Sequence, residues 1–447
     1  MKLRKLPAKK YFVILITCVA VVTFSFWERS HQVEAGTQET YKNLEAFSNV
    51  LNLLQQNYVE EIDSSEVIEG AIKGMLATLD PHSSYMKPDD FHELKIETKG
   101  SFSGIGIEIT MKDGILTVVS PIEGTPAFKM GVQAQDKILK IDDESTKDMS
   151  LMEAVKKLRG QKGTKVTISV HREGLTELED ITIIRNVIPL ISVKSKTLEP
   201  GYGYIRIRNF QSKTTKDFKK ALADLNENGD LKGLILDLRS NPGGLLDQAV
   251  KISDIFLEEG MIVFTKGRIK DQNMEFKAHA NGVKYDVPII VLVNEGSASA
   301  SEIVAGALQD HKRALILGAQ TFGKGSVQTI IPMTNGAGLR LTTAKYYTPN
   351  GISIQATGIT PDIIIPTRLI SPTAHDEDKK KKMKFLREKD LKHHFENGVE
   401  EEKNDKEAPS DEESEEAKKQ KEIEQDNQLH QALMLLKGLR VFSKLNE

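Results

Sequence analysis

Apolar positions along this chain change their spacing from one region to the next, and each spacing predicts a different kind of element. From about Thr40 to Leu94 they recur at helical intervals, as in Leu44, Phe47, Val50, Leu51 and Leu54, until Asp80-Pro81 breaks the pattern. From Lys99 to about Arg185 short alternating runs take over, Ile105, Ile107 and Ile109 and then Leu116 and Val118, with one helical stretch from Leu151 to Leu158. That texture predicts a mostly β domain with one prominent helix. Beyond Val187, strand-like runs (Leu234 to Leu238, Ile289 to Val293, Ala314 to Leu317) alternate with helical ones (Leu245 to Phe256, Ser299 to Leu308), as in a layered α/β core. From Asp376 to about Glu424 charged residues crowd out apolar ones, so the segment cannot bury enough surface to fold and is expected to be a disordered linker. A helical stripe returns in Leu429, Leu433, Leu436 and Leu439, predicting an amphipathic helix that docks on this protein's own body or, failing that, on a partner. The expected order is a leader over 1–35, a helical region over 36–97, a mostly β domain over 98–187, an α/β core over 188–370, a linker over 371–425 and a terminal helix over 426–447.

Composition narrows the function classes. A length of 447 residues, 39% of them hydrophobic, supports two or three domains with real cores. Net charge is only -3, and no segment beyond the first ten residues keeps an excess of Lys and Arg, which sets nucleic acid aside as a partner. The single cysteine, Cys18, lies in the apolar N-terminal run, so neither an internal disulfide nor a cysteine nucleophile in a folded domain is available. That run, Tyr11 to Trp27, follows Lys2, Arg4, Lys5, Lys9 and Lys10 and reads as an export signal or a signal anchor in a membrane. Val33-Glu34-Ala35 offers a cleavage site, while the length of the run leans towards a retained anchor. Either way the rest of the chain is expected outside the cytoplasm, in the periplasm or cell envelope.

Strand-like Pro288 to Val293 runs through Asn294-Glu295-Gly296 into Ser297-Ala298-Ser299-Ala300-Ser301-Glu302, which opens a helix. Such a sharp turn is where several folds expose a nucleophilic serine, and a helix start offers free N–H groups to an oxyanion. The same residues also spell a capping box, Ser299-Ala300-Ser301-Glu302, whose serine merely satisfies the helix end. A hydrolytic serine needs a base, yet none of the ten histidines sits in a catalytic context and no H-E-x-x-H metal motif is present; His82 in Asp80-Pro81-His82-Ser83-Ser84 reads as a turn residue. Lys324, flanked by Gly323 and Gly325, is the better candidate. At an ordinary pKa near ~10.4, about one lysine in a few thousand is neutral at pH 7, so a lysine base must be desolvated. Gly318 to Lys324 also fits a nucleotide loop, G-x-x-x-x-G-K, but Gly325 stands where a magnesium-binding Ser or Thr belongs, and Val327 to Pro332 reads as a strand instead of the required helix.

Gln328 lies on the same side of an extended strand as Lys324 but ~13 Å away at ~3.3 Å per residue, so contact needs a bend, which Gly325 is placed to supply. Asp310 is about 16 Å from Ser299 along a continuous helix and is expected to be structural. Asn241-Pro242-Gly243-Gly244 follows another core strand, and its glycines are able to aim N–H groups at an oxyanion or to form an ordinary turn. In the β domain, Ser103-Gly104-Ile105-Gly106-Ile107 and the helix carrying Ala154, Val155 and Leu158 would border a groove where a peptide adds as a strand. Some of those aliphatics must be plain core. Arg159 ends that helix, placed to pair with a carboxylate or to complement the helix dipole.

As a set, Gly296 to Glu302, Phe322 to Gln328, the Asn241 to Gly244 turn and Tyr347-Thr348-Pro349-Asn350-Gly351 resemble the C-terminal processing peptidases, or tail-specific proteases, from about Thr40 to Pro366. The resemblance implies a crotonase-like α/β peptidase core with an inserted PDZ domain, flanked by a helical N-terminal region and a C-terminal helix. It implies Ser299 as nucleophile, Lys324 as general base and Gln328 as the residue that orients it. The oxyanion hole is implied to use Gly243 or Gly244 together with Ala300. Gly104, Ile105, Gly106 and Ile107 match the PDZ carboxylate loop, Val155 of the neighbouring helix is a further substrate-binding candidate, and Arg159 resembles an arginine that couples the PDZ domain to activation. The expected partners are proteins with apolar C-termini, and neither metal nor other cofactor is required; an adaptor protein and a homo-oligomer are further options for which no residue speaks. The reading from another class is a secreted PDZ binding protein with a silent core.

Overall fold

A computed structural model describes residues 38–172, 174, 177–227, 231–280, 285–366 and 426–445. The leader and the expected linker over 371–425 lie outside them. Two compact units divide after Met75. The first holds α1 (38–57) and most of α2 (Ser64–Ala77), where the helical spacing predicted. On α1, Leu44, Phe47, Val50 and Leu54 stand exposed.

The second unit opens with β1 (Ser84–Met86) and α3 (Pro88–Lys99). Next come β2 (Ser101–Gly104), β3 (Ile107–Lys112), β4 (Ile115–Pro121), α4 (Pro126–Lys129), β5 (Lys137–Ile141), β6 (Glu144–Ser145), α5 (Leu151–Leu158), β7 (Lys165–His171), β8 (Glu179–Ile184) and β9 (Asn186–Pro189). Strands β3, β4, β5, β7 and β8 form one antiparallel sheet in that order, with β6 on β5. Alternation along each strand sends Leu116, Val118, Ile138, Ile168 and Ile183 inward, where α5 adds Ala154 and Leu158. Ser150 and Glu153 close a capping box that starts α5: the Ser150 N–H donates to the Glu153 carboxylate at 2.8 Å and the Glu153 N–H to Ser150 Oγ at 3.3 Å. Strands β2 and β9 pair antiparallel, so the chain enters and leaves this domain side by side.

The α/β part comprises β10 (Val193–Glu199), β11 (Tyr202–Ile207), α6 (Thr214–Glu227), β12 (Gly233–Asp237), α7 (Leu246–Asp254), β13 (Met261–Gly267), β14 (Glu275–Lys277), β15 (Ile289–Val293), α8 (Ala300–Asp310), β16 (Leu315–Gly318), β17 (Ser326–Pro332), β18 (Gly338–Tyr347), β19 (Ile363–Ile364) and α9 (Asn427–Leu445). A six-stranded sheet runs β10-β11-β12-β15-β16-β19, antiparallel only at β10. Both of its faces are covered, which is why Gly233–Asp237 and Ile289–Val293 are buried throughout and read as unbroken apolar runs. Leu234, Leu236, Ile289 and Val291 meet α6, α7 and α8; Ile235, Ile290, Leu292 and Leu317 meet α9 through Leu429, Ala432, Leu433 and Leu436. The C-terminal stripe therefore docks on this protein's own sheet through Leu429, Leu433 and Leu436, while Leu439 stands exposed. A second, antiparallel sheet runs β1-β18-β13-β14, with β17 on β18. Strand β1, which precedes the β-rich domain, thus pairs with a strand that follows it.

Candidate active site

Two turns leave the carboxyl ends of neighbouring parallel strands, β12 and β15, the edge where α/β sheets place their ligand crevices. After β15, Ser299 takes φ +55° and ψ −112°, a region L residues avoid at a cost on the order of 1–3 kcal/mol. This is the strained strand-to-helix corner that lifts a side chain clear of the sheet. The three serines of the run differ in what they do. Ser297 is fully buried and its Oγ donates to the Leu238 carbonyl at 2.8 Å; Ser301, equally buried, donates to the Asn241 carbonyl at 2.9 Å. Both are spent fastening this corner to the turn after β12. Ser299, half-buried, has its hydroxyl bonded to the hydroxyl of Tyr346 on β18, and burial pushes that phenol up to about 12, so it is neutral at any physiological pH.

Glu302 joins the corner to the Lys324 segment. Its carboxylate is fully buried and accepts four hydrogen bonds: from Ser299 N–H at 2.7 Å and Lys324 N–H at 3.0 Å on Oε2, and from Gly323 N–H at 2.8 Å and Thr321 Oγ at 2.6 Å on Oε1. One carboxylate oxygen therefore bridges the main chains of residues 299 and 324, holding them within two hydrogen-bond lengths of each other. Burial pushes Glu302 up to about 7 even though all four donors favour the ionised form. The capping-box glutamate seen in the sequence is thus also the staple between the two predicted site segments. Lys324 itself is half-buried, and Tyr346 N–H donates to the neighbouring Gly325 carbonyl at 2.6 Å.

The turn after β12 packs directly on the serine corner. A Cβ on Gly243, whose φ is +102°, would lie 2.8 Å from the Ala298 carbonyl oxygen, 2.9 Å from Ser299 Cβ and 3.0 Å from Ala300 N. Only glycine fits there. Gly243 N–H already donates to Asn241 Oδ1 at 2.9 Å, whereas among the described residues no hydrogen bond engages the N–H of Gly244 or of Ala300.

Gln328 does not meet Lys324 in this structure. Its Nε2 donates to Thr342 Oγ1 at 2.8 Å and to Ser326 Oγ at 3.2 Å, and its Oε1 is buried without a hydrogen-bond partner. The bend expected at Gly325 is instead a bulge at Val327 and Gln328 in the β17–β18 ladder. Asp310 is structural, its carboxylate accepting the Asn350 N–H at 2.8 Å and so bracing the Tyr347 to Gly351 turn. The nucleotide-loop alternative fails as the sequence suggested, because strand β17 follows Lys324.

In the β-rich domain, Gly106 takes φ +82° against the Thr125 side chain and Ile107 opens β3 beside Gly104 at the end of β2. Ile105 is core, 2% exposed, so only its main chain is offered to a ligand. Val155 is half-buried on α5. Arg159 reaches the edge of the domain: it forms an ion pair with Glu93 of α3, outside the domain, and stacks over Phe102 of β2 with 4.7 Å from guanidinium to ring centre.

Sequence reasoning gave no role to Tyr346 or Thr321, and none to the Asn241 side chain within the turn it singled out. Tyr346 sits one residue before the recognised Tyr347 to Gly351 run and Thr321 three before Lys324, so proximity to a motif was the available signal.

Residues 201–365 match the model of peptidase family S41, residues 103–183 that of a PDZ domain, and residues 20–90 that of the activating protease CtpB N-terminal domain. A carboxy-terminal-processing protease of Bartonella bacilliformis is 45% identical over 407 residues, 90% of this chain and 90% of that protein. The carboxy-terminal processing protease CtpA of Bacillus subtilis is 36% identical over 363 residues, 80% of this chain and 77% of the relative. Among solved structures, a photosystem II D1 C-terminal processing protease aligns at 31% identity over 72% of this chain and 92% of that one, with a TM-score of 0.42. Sequence kinship and domain content define a serine-type peptidase that carries a PDZ domain. The chain belongs to peptidase family S41, among its carboxy-terminal processing proteases.

Proposed function

We propose that this protein is an exported endopeptidase that takes protein C-termini on its PDZ domain and cleaves near them with a Ser299/Lys324 pair. The observation that carries the mechanism is the Glu302 carboxylate, which holds the Ser299 and Lys324 main chains together beside a glycine turn with an unengaged N–H. In the reaction, neutral Lys324 Nζ accepts the Ser299 hydroxyl proton and Oγ attacks the peptide carbonyl carbon. The Gly244 and Ala300 N–H groups hold the oxyanion; Gly243 is the poorer choice, its N–H being committed to Asn241. The Lys324 ammonium then protonates the leaving amine, and a water that gives its proton back to Lys324 hydrolyses the acyl-enzyme. The unmet Gln328 Oε1 is the acceptor suited to the Lys324 amine once the pair assembles. The pairing of β1 with β18 across the PDZ domain supports an insertion into a crotonase-like core.

Incubating wild type and Ser299→Ala with an unfolded substrate ending in apolar residues tests the reading. The wild type should cleave it, and faster than the same substrate with a charged terminus, while the variant should lose at least about 10⁴-fold in rate. Equal cleavage by both would end the peptidase mechanism and favour a silent scaffold. Export rests on the basic residues followed by the apolar run from Tyr11 to Trp27. Full-length protein should fractionate with the envelope and a chain lacking residues 1–35 with the cytosol; a cytosolic full-length protein contradicts the proposal.

A further inference from the structure

Arg239 lies two residues before Asn241-Pro242-Gly243-Gly244, and every N–H of its guanidinium has an acceptor. Nε donates to Asp237 Oδ1 at 3.0 Å and Nη2 to Asp237 Oδ2 at 2.8 Å. The other three bonds go to the start of α9: Nη1 to Asp426 Oδ1 at 2.7 Å and to Gln428 Oε1 at 3.0 Å, and Nη2 to Asp426 Oδ2 at 2.6 Å. The cluster is largely dry. Asp237 and Gln428 are fully buried and the Arg239 side chain is 12% exposed. Tyr204 completes it, its hydroxyl donating to Asp237 Oδ2 at 2.6 Å.

The helix is also seated independently of Arg239, by Asn427 Nδ2 on the Pro366 carbonyl at 3.2 Å, by a Lys437–Glu199 ion pair and by two further contacts. Gln428 Nε2 donates to the Ile365 carbonyl at 2.6 Å, and Leu429, Ala432, Leu433 and Leu436 are buried on the sheet. On the other side of Arg239 the chain has little freedom. Ser240 N–H donates to Asn294 Oδ1 at 2.7 Å, and the Asn241 carbonyl accepts from Ala298 N–H at 3.0 Å and from Ser301 Oγ at 2.9 Å. A shift of Arg239 is therefore passed within two residues to the turn that faces Ser299.

We propose that Asp426 is a positioning residue for the reaction: through Arg239, the C-terminal helix holds the glycine turn in the shape that receives the oxyanion. Asp426 touches no reacting atom. It lies 127 residues past the proposed nucleophile and outside residues 201–365 that carry the peptidase match. Losing it strips a buried guanidinium of its only charged partner besides Asp237 among the described residues, and a desolvated cation left half-paired pulls its neighbours towards other acceptors. The inference rests on the peptidase reading above, because it assigns the turn to the oxyanion.

Steady-state cleavage by full-length Asp426→Ala, Asp426→Asn and Asp426→Glu is the test, with melting temperature followed in parallel. Oxyanion donors typically contribute about 10²–10³ in kcat, so partial misplacement of one should lower kcat by about tenfold or more at KM within twofold. Asp426→Glu should recover part of the loss, since it restores the charge that Asp426→Asn lacks. Labelling of Ser299 by a fluorophosphonate, whose phosphoryl oxygen needs the same donors, should slow in step with kcat. Wild-type kcat in folded Asp426→Ala, or a loss seen only in KM, overturns the proposal. A lower melting temperature with unchanged kcat does so as well, because it shows that the helix only stabilises the fold. If wild type and Ser299→Ala cleave equally, the peptidase reading falls instead; loss in Ser299→Ala beside full kcat in Asp426→Ala condemns this inference alone.

Discussion

Glu302 shows how one side chain combines jobs that are usually divided. Its four donors come from the serine corner and from Thr321, Gly323 and Lys324, so the carboxylate fixes the distance between two segments far apart in sequence. Burial raises its carboxyl from an ordinary 4.5 to about 7. A raised carboxyl means that between these values the folded protein keeps a proton the unfolded chain has lost. That contribution is complete below 4.5, falls as pH rises towards about 7, and is absent above; a shift of this size corresponds to at most about 3 kcal/mol. The Thr321 hydroxyl is able to reverse its role and accept from the protonated acid. Glu302→Gln should therefore flatten the decline in melting temperature between pH 4.5 and 7. It should also lower kcat by about tenfold or more, because an amide nitrogen now faces main-chain N–H groups. A variant with the wild-type pH slope and full activity would remove Glu302 from both roles. In the sequence only its capping role was legible, since the S-x-x-E spacing is local and the Thr321 to Lys324 loop is not.

At the level of elements, period and turn chemistry carried most of the fold. Helix α5 begins and ends at Leu151 and Leu158 as its apolar spacing indicates, and β12 and β15 appear where unbroken aliphatic runs predict strands buried on both faces. What the period could not reveal is pairing across long loops. The antiparallel sheet that brings Tyr346 to Ser299 joins β1, β13, β14, β17 and β18, with β1 divided from its partner β18 by the whole PDZ domain and β13 from β18 by β15, α8 and β16. Their alternation tells which face is buried and nothing about which strand is next. The same limit hid the bulge at Val327 and Gln328, a register feature set by the facing strand β18 and not by the glycine beside Lys324. Terminal helix α9 was foreseen as a stripe, but its ion pair with Arg239 was not, because Asp426 is one acidic residue at the end of a highly charged stretch.

Across the whole molecule, the layered α/β core and the C-terminal helix meet at the turn after β12, which packs on the serine corner at the carboxyl ends of the central strands. Arg159 of the PDZ domain pairs with Glu93 of α3, and Asp426 at the start of the last helix pairs with Arg239 beside the turn that packs on Ser299. Gln328 Oε1, buried and unmet, marks a contact with Lys324 that is not made in this structure. The central claim is that Ser299 is activated by Lys324 in this crevice. Mapping a fluorophosphonate adduct by mass spectrometry is the sharpest check: one adduct is expected, on Ser299, forming faster as pH rises and slowed by at least about 10³-fold in Lys324→Ala. An adduct on another residue, or one formed at Ser299 just as fast without Lys324, would contradict it.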